Sequence, residues 1–249
     1  MKRILALICL VAFALHAQES DSLEQSTPEP QIRPPVEDER VVVRSILDEC
    51  GLNDLTADDV ATFENDRVVV LDLSNRDLSQ DGLTEFPKDI FKLYALNGLM
   101  IQDNWLKEVP EEIGVLTELR ELNLGSNPLG ELPSSIGNLS KLIKLDIRYC
   151  KLENLPAEFG QLSNLEYLQM WGNRFTTLPE CISKLESLQE IYLKDNRLIS
   201  LPAYITEMPN LTYIGTHLNK LCELDPKVRK WLLTKDRGYK KFQKCPAED

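Results

Sequence analysis

The chain has 249 residues, 43% of them hydrophobic, which is enough to bury a sizeable core as one long domain or two ordinary ones. Its 40 Asp and Glu against 28 Lys and Arg give a formal charge of −12, or −14 once Lys2 and Arg3 are removed. Nucleic acid is thereby excluded as a partner, because phosphate binding depends on Lys and Arg neutralising the backbone. The N-terminus opens with Lys2 and Arg3, continues as an apolar run from Ile4 to Leu15 and reaches Ala17 before polar sequence begins. That order is a signal peptide over residues 1–17, and twelve apolar residues are too few to cross a hydrocarbon core of roughly 30 Å as a helix. Cys9 lies deep in the apolar run after Ile8, not where a lipoprotein cysteine would lie. Residues 18–40 are polar and acidic with Pro28, Pro30, Pro34 and Pro35, the composition of a disordered linker. Over residues 41–67 the spacing of Val41, Val42, Ile46, Leu47, Leu52, Leu55 and Val60 is helix-like up to Phe63 and predicts an N-terminal cap.

From residue 68 a period takes over. Leu96, Leu119, Leu142, Leu165, Leu188 and Leu211 recur every 23 residues, and around each the frame LxxLxLxxNxLxxLP returns, as in Leu119, Leu122, Leu124, Asn127, Leu129 and Leu132-Pro133. An earlier copy, Val68, Leu71, Leu73, Leu78 and Phe86-Pro87, is stretched by five residues and carries Arg76 in place of the asparagine. Residues 68–224 thus hold seven copies. Within each, Leu-x-Leu is a short strand with alternating faces, and the second half, with an apolar pair such as Ile136 and Leu139, returns over the outside. One unit cannot bury its own leucines; stacked at about 4.8 Å, seven units form a parallel sheet and share one core. Asp225-Pro226 is an N-cap followed by a helix-starting proline, so residues 225–249 are expected to form a helical C-terminal cap and basic tail, with eight bases and one acid between Lys227 and Lys244. The polar outer sides of the two caps would close the stack.

The repeated frame, with half-units such as Leu132 to Leu142 (LPSSIGNLSKL), resembles the leucine-rich repeat family, in the 23-residue class shared by bacterial secreted and plant Ras-group repeat proteins. The resemblance covers about 160 of the 249 residues. It implies an α/β solenoid: a right-handed arc with the parallel sheet on its concave face and an asparagine ladder. Asn104, Asn127, Asn173, Asn196 and Asn219 match the ladder position, and Cys150 occupies it in the copy between, as a buried structural thiol. Family resemblance alone does not choose a partner.

Binding chemistry is to be sought at the x positions, which face the concave surface. The early strands offer Val70, Asp72, Ser74, Gly98, Met100, Gln102, Glu121, Asn123 and Gly125, a small and polar set. The later ones carry Lys144, Asp146, Arg148, Tyr149, Tyr167, Gln169, Trp171, Glu190, Tyr192, Lys194, Tyr213 and His217. Aromatic residues suit strands for stability alone, yet stability requires no bias toward one end of the array. Arg148, Tyr149, Tyr167, Gln169, Trp171, Tyr192, Lys194, Tyr213 and His217 are therefore the candidate partner-binding residues. Trp105, just after Asn104, either extends this surface at the rim or packs on a neighbouring loop.

Catalysis is disfavoured, since His217 is the one neutral-pH proton carrier left after His16 departs with the signal, and no nucleophile motif accompanies it. No metal-ligand spacing and no cofactor motif is present. The exported chain keeps Cys50, Cys150, Cys181, Cys222 and Cys245, an odd number, in a compartment where disulfides persist. A Cys222–Cys245 bridge would tie the C-terminal cap to the stack; Cys50 is left open, and Cys181, at a variable position of the outer half-turn, is expected to be a surface thiol. The reading is an exported, monomeric, non-catalytic module that binds a protein, or alternatively a glycan, on its concave face. A self-assembling envelope component, joined through Cys181 or an end cap, is the competing reading.

Overall fold

The computed structural model describes residues 38–75, 82–236, 238–239 and 243–245. The signal sequence, the linker up to residue 37, Arg76 and Leu78 of the first copy, and Arg237, Lys240, Lys241 and Phe242 of the basic segment lie outside these.

Seven strands stack in chain order with parallel register: β2 (Arg67–Asp72), β3 (Gly98–Met100), β4 (Glu121–Asn123), β5 (Lys144–Asp146), β6 (Tyr167–Gln169), β7 (Glu190–Tyr192) and β8 (Tyr213–Gly215). Their central residues, Leu71, Leu99, Leu122, Leu145, Leu168, Ile191 and Ile214, pair across the sheet and are at most 1% exposed. Alternation along a strand sends the residues on either side of each outward. After each strand from β3 to β8 the chain leaves the sheet through a left-handed residue: Asp103, Ser126, Tyr149, Gly172, Asp195 and Leu218, all with φ between 53° and 71° and each just before a ladder residue. Five of the six are not glycine, so the surrounding bonds must hold a conformation that L residues rarely adopt.

The ladder supplies those bonds. Asn173 Nδ2 donates to the carbonyls of Ile147 and Met170 (2.8 and 2.9 Å), while its Oδ1 accepts from the backbone N–H groups of Cys150 and Leu152 (both 3.0 Å). Asn104, Asn127, Asn196 and Asn219 repeat the same pattern, each joining its own strand to the previous unit. Cys150 reproduces the donor half alone: its thiol faces the Leu124 carbonyl at 3.3 Å, but it has no oxygen to receive the Leu129 N–H. That N–H turns to Asn127 O within its own unit (2.8 Å), and Gly130, at φ 76°, donates to Cys150 O. Burial pushes the Cys150 thiol up to about 12, so it is an uncharged part of the core.

On the outer side each unit returns through a short 3₁₀ turn entered from a proline: Lys88–Lys92, Glu111–Val115, Ser134–Asn138, Ala157–Gln161, Glu180–Lys184 and Ala203–Thr206. Ile90, Ile113, Ile136, Phe159, Ile182 and Ile205 point inward from these turns and are fully buried. Such turns stay short because i→i+3 bonding is tight. Here Cys181 departs from the sequence expectation of a surface thiol. It is 6% exposed, with its thiol raised to about 11 by burial, because Tyr204, at the same frame position one unit later, hydrogen-bonds back to Pro179 O at 2.8 Å and lies beside it. Cys50 is half-buried, and its thiol, unbridged like those of Cys150 and Cys181, is raised to about 12 by burial.

The N-terminal end differs from a continuous helix up to Phe63. Helix α1 (Glu39–Glu49) is followed by a single turn, α2 (Ala57–Val60), and then by strand β1 (Ala61–Glu64), which pairs antiparallel with β2 as an eighth strand. Glu39 and Arg40, read as the end of the linker, form the first turn of α1. Asp38 accepts from the Arg40 N–H as its cap, and Glu39 is buried to pair with Arg67 at 2.6 Å and receive the Val68 N–H. At the other end α3 (Pro226–Lys235) is capped by Asp225 and packs Val228 and Leu232 into the core. Cys222 is bridged to Cys245, and beside that bridge Gln243 takes over the ladder pattern: its Oε1 accepts from Leu221 N (3.1 Å) and its Nε2 donates to Thr216 O (3.1 Å). Among the described residues no helix is long and apolar enough to cross a membrane.

Candidate functional site

The parallel register lines the outward residues into three rows across the sheet. The first runs Val70, Gly98, Glu121, Lys144, Tyr167, Glu190, Tyr213, and the second Asp72, Met100, Asn123, Asp146, Gln169, Tyr192, Gly215. The third, just past the strands, is Ser74, Gln102, Gly125, Arg148, Trp171, Lys194 and His217, aligned by bonds such as Ser126 N to Arg148 O and Gly172 N to Lys194 O. All nine candidate residues lie on these rows or, for Tyr149, on the turn beside them.

They form two groups. In the first, Tyr149 meets Trp171 edge to face with ring centres 4.6 Å apart, Arg148 stands 5.5 Å from the Trp171 ring centre on one side, and Lys194 Nζ stands 5.9 Å from it on the other. Trp171 Nε1 donates to Gln169 Oε1 at 3.4 Å. Tyr149 remains 47% exposed. In the second, the rings of Tyr192 and Tyr213 are 5.0 Å apart at 46°, and the Tyr192 hydroxyl donates to Glu190 Oε2 at 2.6 Å. That bond, with burial and the charge of Glu190, pushes the Tyr192 phenol up to about 12. Burial raises Tyr213 as well. Tyr167 occupies the first row between Lys144 and Glu190, next to Tyr213's neighbour strand, and joins the groups.

Supporting residues that motif reading did not pick out hold this arrangement. A Cβ on Gly172 would lie 2.2 Å from the Tyr149 ring, so this turn, alone among its six equivalents, needs glycine both for its φ of 71° and to let the ring lie flat over it. Gly125 plays the same part under Arg148, where a Cβ would stand 3.0 Å from Cγ. Asp146 accepts from the Arg148 N–H (3.0 Å) and pairs with its Nε (3.3 Å), although burial raises the Asp146 carboxyl above its usual range. His217 Nε2 is 3.4 Å from Asp236 Oδ1, while Asp236 Oδ2 receives both the N–H and the hydroxyl of Thr216. His217 thus belongs to the junction of the last unit with α3 more than to the aromatic groups. A glycine where every other unit places a residue with a side chain was a usable signal for Gly172; nothing in the sequence points from Asp236 back to Thr216. Trp105 is 60% exposed on the early side, and its N–H is bonded to Leu83 O.

Residues 111–216 match the family model described as a leucine-rich repeat region. No curated protein matches the chain. Among solved structures, a leucine-rich repeat protein of Leptospira interrogans is 28% identical with a TM-score of 0.54, the match covering 66% of this chain and 52% of that one. This chain therefore spans about half the length of the Leptospira protein. The leucine-rich repeat domain of the type III effector XopL is 26% identical over 75% of this chain and 67% of its own, with a TM-score of 0.57. Toll, in the Toll–Spatzle complex of Drosophila, is 26% identical over 58% of this chain and 20% of its own, with a TM-score of 0.52. The 23-residue register, the asparagine ladder and these matches agree on a leucine-rich repeat fold, with residues 111–216 matching the family model itself.

Proposed function

We propose that the chain is an exported, non-catalytic recognition module that binds a protein on the concave face of β5–β8. The observation that carries this reading is the patch formed by Tyr149, Trp171, Arg148 and Lys194 beside Tyr192 and Tyr213. Large rigid rings with an arginine beside them are the usual anchors of protein interfaces. A preformed sheet presents them with little ordering cost. Repeats of this family generally serve as binding modules, and the solved Toll complex with Spatzle is one protein-bound example. Export is supported by the leader-like residues 1–17 and by the Cys222–Cys245 bridge. The burial of Cys181 and its raised thiol weaken a self-assembly route through that residue.

The test is capture on the immobilised chain from envelope and extracellular extracts, beside a Tyr167→Ala, Trp171→Ala, Tyr192→Ala variant whose circular dichroism and melting match the parent. A protein held by the parent and lost by the folded variant is the expected result. Equal retention by both, or a glycan as the sole patch-dependent ligand, would overturn it.

A further inference from the structure

The patch has a donor capacity that its composition does not reveal. Its carboxylates are engaged within the chain: Asp146 with Arg148, Glu190 with the Tyr192 hydroxyl, Asp195 with Lys244 Nζ at 2.7 Å, and Asp236 with Thr216 and His217. Two cations keep donors that nothing within the patch uses. Arg148 spends Nε on Asp146 and stands by the Trp171 ring, but among the described residues its two terminal nitrogens have no hydrogen-bond partner. Lys194 is exposed, faces the same ring from the other side, and among the described residues forms no ion pair. A net acidic chain thus presents, at its most aromatic place, two cations with donors to spare.

Their spacing narrows the ligand. Arg148 and Lys194 extend from β5 and β7, two strand intervals apart, or about 10 Å. Three residues of a polyproline II segment cover about 9 Å and bring the side chain back to the same face. We propose that the concave face recognises an acidic segment of a partner protein in polyproline II conformation, with carboxylates at positions i and i+3 on one face. One pairs with Arg148 through its terminal nitrogens and the other with Lys194, while the side chains between them rest on Trp171 and Tyr149. Arg is suited to the first contact, because its planar fork matches a carboxylate in bidentate geometry. The Tyr192–Tyr213 pair, one strand further, receives the next apolar side chain of the segment. This inference rests on the concave protein-binding reading and adds the chemistry of the ligand.

The experiment is selection of a displayed random twelve-residue peptide library on the full-length chain, on Arg148→Gln/Lys194→Gln, on Trp171→Ala, and on Lys184→Gln/Lys230→Gln, which removes the same net charge from the outer side and α3. The expected peptides carry Asp or Glu three residues apart around an apolar residue. They should lose at least tenfold in enrichment on Arg148→Gln/Lys194→Gln and on Trp171→Ala, but not on Lys184→Gln/Lys230→Gln. A synthetic copy with both acids changed to Gln should bind at least tenfold more weakly than its parent. Peptides that need Trp171 but show no acidic preference and survive loss of both cations would overturn the carboxylate inference and leave the concave face as the binding site. Peptides indifferent to all three variants, or no enrichment on the parent chain, would overturn both.

Discussion

The two halves of the concave sheet rest on the same core and differ in almost everything above it. Under β2–β4 and under β5–β8 the central residues are alike, Leu71, Leu99 and Leu122 against Leu145, Leu168, Ile191 and Ile214, all at most 1% exposed. Above them the early half shows Gly98, Met100, Gln102, Asn123 and Gly125, whereas the late half shows three tyrosines, Trp171, Arg148 and Lys194. The contrast separates two demands on one frame. Inward positions are set by packing, which punishes any change of volume, and outward positions are left to whatever the surface must do. The late half also carries supports that the early half lacks: a glycine floor under Tyr149, and carboxylates that fix Arg148 and Tyr192.

If the core is indifferent to the face above it, Leu122→Ala and Leu168→Ala should each cost about 3 kcal/mol in urea unfolding, the range for emptying a fully buried leucine site. Costs differing by more than about 2.5 kcal/mol, beyond the usual scatter of such deletions, would mean that the aromatic face contributes to folding and would break the comparison. A smaller effect probes the junction between the halves, where Cys150 interrupts the ladder. Asn173→Ala strands the N–H groups of Cys150 and Leu152 and should cost about 2–3 kcal/mol, whereas Cys150→Ala removes one weak thiol contact and part of a methylene-sized volume, for about 1 kcal/mol. Equal losses in the same unfolding assay would show that the Asn173 oxygen adds nothing for the two N–H groups it receives. The smallest effect concerns Tyr192. Its phenol is raised from the ordinary 10.0 to about 12, so its bond to Glu190 contributes stability that is intact below the unfolded pKa and is lost as pH rises through about 12. A difference absorbance titration between the parent and Tyr192→Phe should show one phenol ionising near pH 12; ionisation near 10 would mean that Glu190 does not hold the hydroxyl.

Most of the solenoid was legible in the sequence because its determinants repeat. Leu119, Leu142 and Leu165 announce a core by recurrence, and the prolines at 110, 133 and 156 mark the outer turns one by one. What could not be read depends on a single pairing made across the fold. Ala61–Glu64 continues a helix-like spacing and becomes a strand because Arg67–Asp72 offers it an edge. Glu39 sits in polar sequence and is buried because Arg67 neutralises it. Cys181 occupies a variable outer position and is covered because the residue one unit later is Tyr204. For the site, the aromatic bias toward one end was visible residue by residue, but the balance of charge was not. Asp146, Glu190 and Asp236 are legible as acids, but that each is occupied by a partner within the chain, and that among the described residues Arg148 keeps its terminal nitrogens free, is visible only in the fold.

Gln243 carries a consequence of another kind. Because it reproduces the ladder bonds at the last unit while β1 pairs with the first, both boundaries meet ordinary repeat surfaces. A 23-residue unit inserted or removed between them would leave both end junctions unchanged. The length of the array, and with it the extent of the sheet, can therefore be altered by duplication or deletion of whole units without redesigning either terminus.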